Sequence, residues 1–108
     1  LNVNKTLLYF IEMFHLAGGK TAIASTAHKK NLINALAHIG VLDTFDYVLA
    51  GEDVDKGKPS PEIYQNILRH FECHPSEAVV FEDSEVGVKA AIDAGINYIF
   101  IKKEFYGD

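Results

Sequence analysis

The chain alternates between two hydrophobic periods. Leu7, Leu8, Ile11 and Phe14 recur at helical spacing and stop at Gly18 and Gly19, which predicts a first helix. Thr21-Ala22-Ile23-Ala24 follows as a short apolar run ending in Ser25-Thr26, the pattern of a buried strand. Leu32, Ile33, Leu36 and Ile39 then share one helical face, and Gly40 suits the left-handed turn that closes a helix. Tyr47-Val48-Leu49-Ala50 predicts a second strand. Ser60-Pro61-Glu62 reads as a helix start, with a hydroxyl to cap free amides, a ring that fits the first turn and an acid facing the positive end of the dipole. Ile63, Ile67, Leu68 and Phe71 mark its buried stripe. Ala78-Val79-Val80-Phe81 is a third strand, Ser84 to Ala94 a short helix closed by Gly95, and Tyr98-Ile99-Phe100-Ile101 a fourth strand. Apolar strands alternating with helices predict an α/β fold: a doubly wound, Rossmann-like parallel sheet with helices on both faces.

Composition narrows the partners. The 108 residues carry 10 Lys and Arg against 15 Asp and Glu, a formal net charge of −5, and no basic run exceeds two residues, so neither nucleic acid nor an anionic membrane is an expected partner. A 48% hydrophobic share fits one small globular domain, taken as residues 1–108. A lone Cys73 forms no internal disulfide, and no apolar run approaches the ~18 residues of a membrane span, so the expectation is a soluble protein of the reducing cytoplasm. The chain opens at Leu1, not at a Met, and already within a helical pattern, which points to a piece of something longer.

In open parallel sheets the site lies at the carboxyl ends of the strands. Ser25 and Thr26 follow the first strand and open a helix, whose free N–H groups and positive dipole end suit a phosphate; capping alone is the plainer account of the same pair. Lys58 sits in a loop stiffened by Pro59 and Pro61, where a fixed ammonium could neutralise phosphoryl oxygens, or could be an ordinary solvated lysine. Glu82 and Asp83 close the third strand. Adjacent carboxylates there repel one another unless a cation or strong donors satisfy them, and hard oxygen ligands favour Mg²⁺. The competing account has Asp83 capping the following helix while Glu82 points to water. Glu52, Asp53 and Asp55 lack the remaining ligands of a calcium loop and read as surface charge. His70, Cys73 and His74 lack a second ligand pair and read as surface residues.

Taken in order, Ala22-Ile23-Ala24-Ser25-Thr26, Gly57-Lys58-Pro59-Ser60-Pro61-Glu62-Ile63-Tyr64 and Val79-Val80-Phe81-Glu82-Asp83-Ser84, with Gly87 and Ala94-Gly95 following, resemble the haloacid dehalogenase superfamily, in its β-phosphoglucomutase-like phosphatase branch. The resemblance implies a catalytic and substrate-binding Ser25 whose hydroxyl meets the transferring phosphoryl group, with the amide of Thr26 beside it. It implies a catalytic, phosphate-facing Lys58, and Glu82 and Asp83 as the acids that hold Mg²⁺. The acidic pair argues against the dehalogenase branch, which needs no metal. The family's Asp-x-Asp nucleophile motif has no good match: Asp53-Val54-Asp55 lies in the loop leading to Lys58, and no strand precedes Leu1. The implied function is Mg²⁺-dependent phosphoryl transfer, as a phosphatase or phosphomutase of a small phosphorylated metabolite, carried here by a fragment that alone does not turn over. A non-catalytic phosphate- and metal-binding or assembly module is the alternative, separated from the enzyme by whether Asp-x-Asp stands upstream of Leu1.

A structural expectation follows from the same resemblance. The family's central strand would lie between the strand ending at Ser25 and the strand ending at Glu82, and its loss leaves two unpaired edges facing each other. The gap is expected to be filled by another segment or chain, or closed by direct pairing.

Overall fold

The computed structural model describes residues 5–101. Helix α1 spans Lys5–Leu16 and buries Ile11. It turns at Gly18, with φ +90°, and leads to β1, Ala22–Ala24. Helix α2, Lys29–His38, ends where Gly40 takes φ +78° and the Val41 amide reaches back to the Leu36 carbonyl, closing the helix as its sequence implies. Strand β2, Tyr47–Leu49, and helix α3, Glu62–His70, come next. Strand β3, Val79–Glu82, helix α4, Glu85–Asp93, and strand β4, Asn97–Phe100, complete the order. Among the described residues no helix is long and apolar enough to cross a membrane.

The strands pair in parallel, as the helical crossovers between them require. Ala22 to Ala24 run beside Tyr47 to Leu49, and Val79 to Glu82 run beside Asn97 to Phe100. The main core gathers Leu49, Ile63, Tyr64, Leu68, Val80, Ala90, Ala91 and Ile96, drawn from both strand pairs and from α3 and α4. Ala90 and Ala91 are completely buried, and their small side chains let α4 lie close against β3 and β4. Side-chain parity along β3 shows helices on both sides: Phe81 meets Phe10 of α1 edge-on, with centroids 6.1 Å apart, whereas Val80 and Glu82 turn into the core.

Closure of the gap by direct pairing, one of the two expected outcomes, is not what forms. Among the described residues the four strands make two separate two-stranded sheets, and β1 and β3 do not pair, nor does another described strand lie between them. Their carboxyl ends are instead spanned by one side chain, that of Lys58, which hydrogen-bonds to both. A ladder fixes two backbones along their length, whereas a long side chain can join two strand tips without bringing the edges into register.

Candidate active site

Glu82 is where the site is built. The ladder runs one residue further than the apolar pattern implies, so Glu82 is the last residue of β3 and shares the inward face of Val80. It is only 6% exposed. Four donors surround its carboxylate. Oε2 accepts from Lys58 Nζ at 2.9 Å and from the Tyr64 hydroxyl at 2.7 Å; Oε1 accepts from the Ser84 hydroxyl at 3.0 Å and the Asp83 amide at 3.1 Å. Two donors on each oxygen use the roughly four acceptor sites a carboxylate offers. Burial by itself would push this carboxyl upward, but the bonds from Lys58 and Tyr64, the ammonium charge and the Ser84 bond outweigh it and hold the pKa at about 2. The Tyr64 phenol is driven the other way, by its own burial and by the neighbouring carboxylate. Room for the carboxylate comes from Gly87 in the first turn of α4, where a Cβ would overlap the carboxyl group.

Lys58 arrives on a loop fixed at several points. The Asp53 carboxylate accepts from the Ala50 amide at 2.8 Å and pairs with Lys29 at 2.9 Å, so it closes the turn after β2 and is not simply solvated charge. Glu62, at the start of α3, turns back to accept from the amides of Asp55 at 2.8 Å and Lys56 at 3.1 Å. Ser60 donates its amide to the Gly57 carbonyl. Held this way, the Lys58 side chain is 7% exposed and its ammonium donates to the Ala24 carbonyl at 3.0 Å as well as to Glu82. An ammonium has three N–H groups, so one is left over among the described residues. Its nitrogen also lies 5.3 Å from the centroid of the Tyr64 ring.

Ser25, Thr26, Gly57, Lys58 and Ile63 line a cleft of about 270 Å³, with His28 and Glu52 among its remaining walls. The Ser25 hydroxyl accepts from the Ala27 amide at 3.1 Å, which leaves its own proton to donate. Gly51 forms part of the wall, and a Cβ there would come within 2.6 Å of the Thr26 carbonyl oxygen. Asp83 is exposed, and its carboxylate has no hydrogen-bond partner among the described residues.

The profile of the family described as haloacid dehalogenase-like hydrolase matches residues 3–101. The chain belongs to the haloacid dehalogenase-like hydrolases. It is 38% identical over 81 residues to the phosphorylated carbohydrates phosphatase of Thermotoga maritima, covering 75% of this chain and 38% of that protein. It is 41% identical over 63 residues to the validoxylamine A 7'-phosphate phosphatase of Streptomyces hygroscopicus subsp. limoneus, covering 58% of this chain and 30% of the relative. The solved structure of CbbY from Rhodobacter sphaeroides in complex with phosphate superposes with a TM-score of 0.78 at 34% identity, over 90% of this chain and 44% of that one. The chain thus spans less than half the length of these three relatives.

Against this haloacid dehalogenase-like frame, the two neighbouring acids part company. The account in which Asp83 caps α4 while Glu82 faces water is reversed: Ser84 is the cap, accepting from the Gly87 amide at 3.1 Å, Asp83 faces solvent and Glu82 is enclosed. Tyr64, Ser84, Glu62 and Gly87 are site-building residues that sequence reasoning passed over. Their partners lie across the fold or around a turn that only the backbone path reveals. His70 stacks on Tyr47 with centroids 3.6 Å apart, and His74 bonds to Ser76, so neither joins Cys73 in a ligand set. Among the described residues no cluster of three or more His, Cys, Asp or Glu is placed to hold a metal.

Proposed function

We propose that these 108 residues are the phosphate-gripping part of an Mg²⁺-dependent phosphoryl-transfer enzyme, a phosphatase or phosphomutase acting on a small phosphorylated metabolite. The observation that carries this reading is the placement of Lys58. A buried ammonium, with one N–H uncommitted among the described residues, borders a cleft that Ser25 and Thr26 also line. Such donors, fixed before the ligand arrives, suit phosphoryl oxygens and the charge that builds on them during transfer. The phosphatase names of relatives at 38% and 41% identity support the same reaction class.

The residues present fit Mg²⁺ unevenly. Glu82 has its acceptor sites filled by protein donors, so a metal would have to displace one of them. Asp83 offers next to it a hard carboxylate with no partner among the described residues. Mg²⁺ commonly takes one or two carboxylates, keeps several waters and shares the substrate's phosphate, so Asp83 is the residue of this chain that would hold it. When bound, the ion supplies positive charge at the phosphoryl oxygens. In this reading Glu82 serves by holding Lys58 in place, Lys58 neutralises a phosphoryl oxygen, and Ser25 donates to another. Asp53 is not the nucleophilic Asp implied by the family resemblance in this reading, because its carboxylate is already committed to Ala50 and Lys29. That nucleophile would come from sequence outside these 108 residues.

The test is turnover by the full-length protein against a panel of sugar phosphates and small phosphate monoesters, with and without Mg²⁺, beside Lys58→Ala. Mg²⁺-dependent phosphate release that falls at least about a hundredfold in the variant is expected, on the scale of losing one preorganised charge-stabilising donor. Phosphate binding without release by the full-length protein would instead favour a non-catalytic module.

A further inference from the structure

We propose that Tyr64 is a positioning residue for phosphoryl transfer, holding the Lys58 ammonium at the cleft through Glu82; this rests on the reaction class argued above. Tyr64 does not border the cleft, so any effect on a bound phosphoryl group must pass through another side chain. Two contacts provide that route. Its hydroxyl donates to Glu82 Oε2 at 2.7 Å, the same oxygen that Lys58 reaches at 2.9 Å, and its ring lies 5.3 Å from the Lys58 nitrogen. With the hydroxyl in place, Oε2 shares its electron density between a neutral donor and the ammonium. Without it, Lys58 is the sole partner of that oxygen, and the unbalanced charge draws the ammonium toward Glu82 and away from the cleft.

The location of Tyr64 suits the task. It is 6% exposed and belongs to the main core, on the third residue of α3. Two residues earlier, Glu62 pins the amides of Asp55 and Lys56. The first turn of one helix therefore fixes both the backbone that leads to Lys58 and the carboxylate that receives its ammonium. A purely space-filling role would be met equally well by Phe, which has the ring but cannot donate.

The experiment is a double-mutant cycle in the full-length protein, with p-nitrophenyl phosphate and Mg²⁺, comparing wild type, Y64F, K58A and the Y64F/K58A pair. Y64F should lower kcat about tenfold, a barrier rise of about 1.4 kcal/mol, with KM changed by less than about twofold. On the K58A background the same change should cost less than about twofold, because the residue it acts through is gone. Losses that multiply, or a Y64F enzyme with wild-type kcat, would overturn the assignment. Wild-type protein that releases no phosphate from any ester would sink the reaction class itself, a separate failure. A second readout covers that case and a Y64F variant that folds poorly: reductive methylation of the folded wild-type protein, followed by mass spectrometry. Lys58 should react far more slowly than exposed Lys56, and equal reactivity would show that the clamp does not hold.

Discussion

Glu82→Gln tests the electrostatics of the clamp most directly, because it removes the charge and almost no volume. Glu82 is buried and its oxygens receive two donors each. A Gln amide keeps one oxygen and presents an NH₂ group where the other stood, so two donors meet a donor and the Lys58 ammonium loses its counter-charge. The carboxyl is held at about 2 against an ordinary 4.5. At 1.36 kcal/mol for each unit of pKa, that amounts to about 3 kcal/mol of folding stability at neutral pH. Breaking a buried ion pair by removing one partner costs about 3–5 kcal/mol in general, so the two routes agree in scale. The folded-state pKa is depressed, so the stabilisation is complete above the unfolded-state value and is lost as the pH falls from about 5 toward 2. Urea unfolding of wild type and variant, followed by circular dichroism without divalent ions, should show a gap of about 3 kcal/mol at pH 7 that narrows steadily as both are taken to pH 3. A gap that is absent at pH 7, or that stays constant down to pH 3, would refute the argument.

Gly87→Ala should cost about 1–3 kcal/mol, because the added methyl overlaps a carboxylate that four donors hold in place; a thermal melt as high as wild type would show that the carboxylate can move aside. Ser84→Ala removes both the cap of α4 and one donor to Glu82, and should destabilise by about 1–2 kcal/mol in the same assay. Asp83→Asn should leave stability within about 0.5 kcal/mol, since the side chain is exposed and has no partner among the described residues, while abolishing the proposed Mg²⁺-stimulated turnover in the full-length protein. Turnover at ordinary Mg²⁺ concentrations would remove Asp83 from the proposed metal site.

The parts of the fold legible in the sequence are those set by local pattern. The helical spacing of Leu32, Ile33, Leu36 and Ile39 and the glycine after them specify α2 and its end, because closure at Gly40 needs only backbone within one turn. The choice of cap on α4 needed more. Asp83 and Ser84 are both good capping residues, and the decision falls to the extra residue of β3, which moves the helix start one position along so that Ser84 stands three residues before the Gly87 amide. Tyr64 lies within the apolar stripe of α3, between Ile63 and Leu68, and there it is indistinguishable from another core position; its hydroxyl acquires meaning only from a carboxylate 18 residues away. Glu62 reads as a favourable charge at a helix start, and so it is. Its bonds to Asp55 and Lys56 depend on how the preceding loop doubles back.

The adjacent acids at the end of β3 pose an electrostatic problem that strand geometry resolves. Successive residues of an extended chain point to opposite sides, so carrying β3 through Glu82 sends that carboxylate inward and leaves Asp83 outside. Separation by itself would not make the buried charge tolerable. An isolated carboxylate in that core would sooner take up a proton, and it is the Lys58 ammonium with three neutral donors that keeps it ionised. The dependence runs in both directions. Lys58, its side chain buried to the same degree, is held in position by Glu82 and by the Ala24 carbonyl. A positive group thereby stands at the meeting point of two strand pairs that share no ladder among the described residues. Any change that loosens this ion pair should therefore weaken the cleft and the junction between the sheets together. On the proposed function, a change at Lys58 alters stability and turnover together, whereas a change at exposed Asp83 separates them.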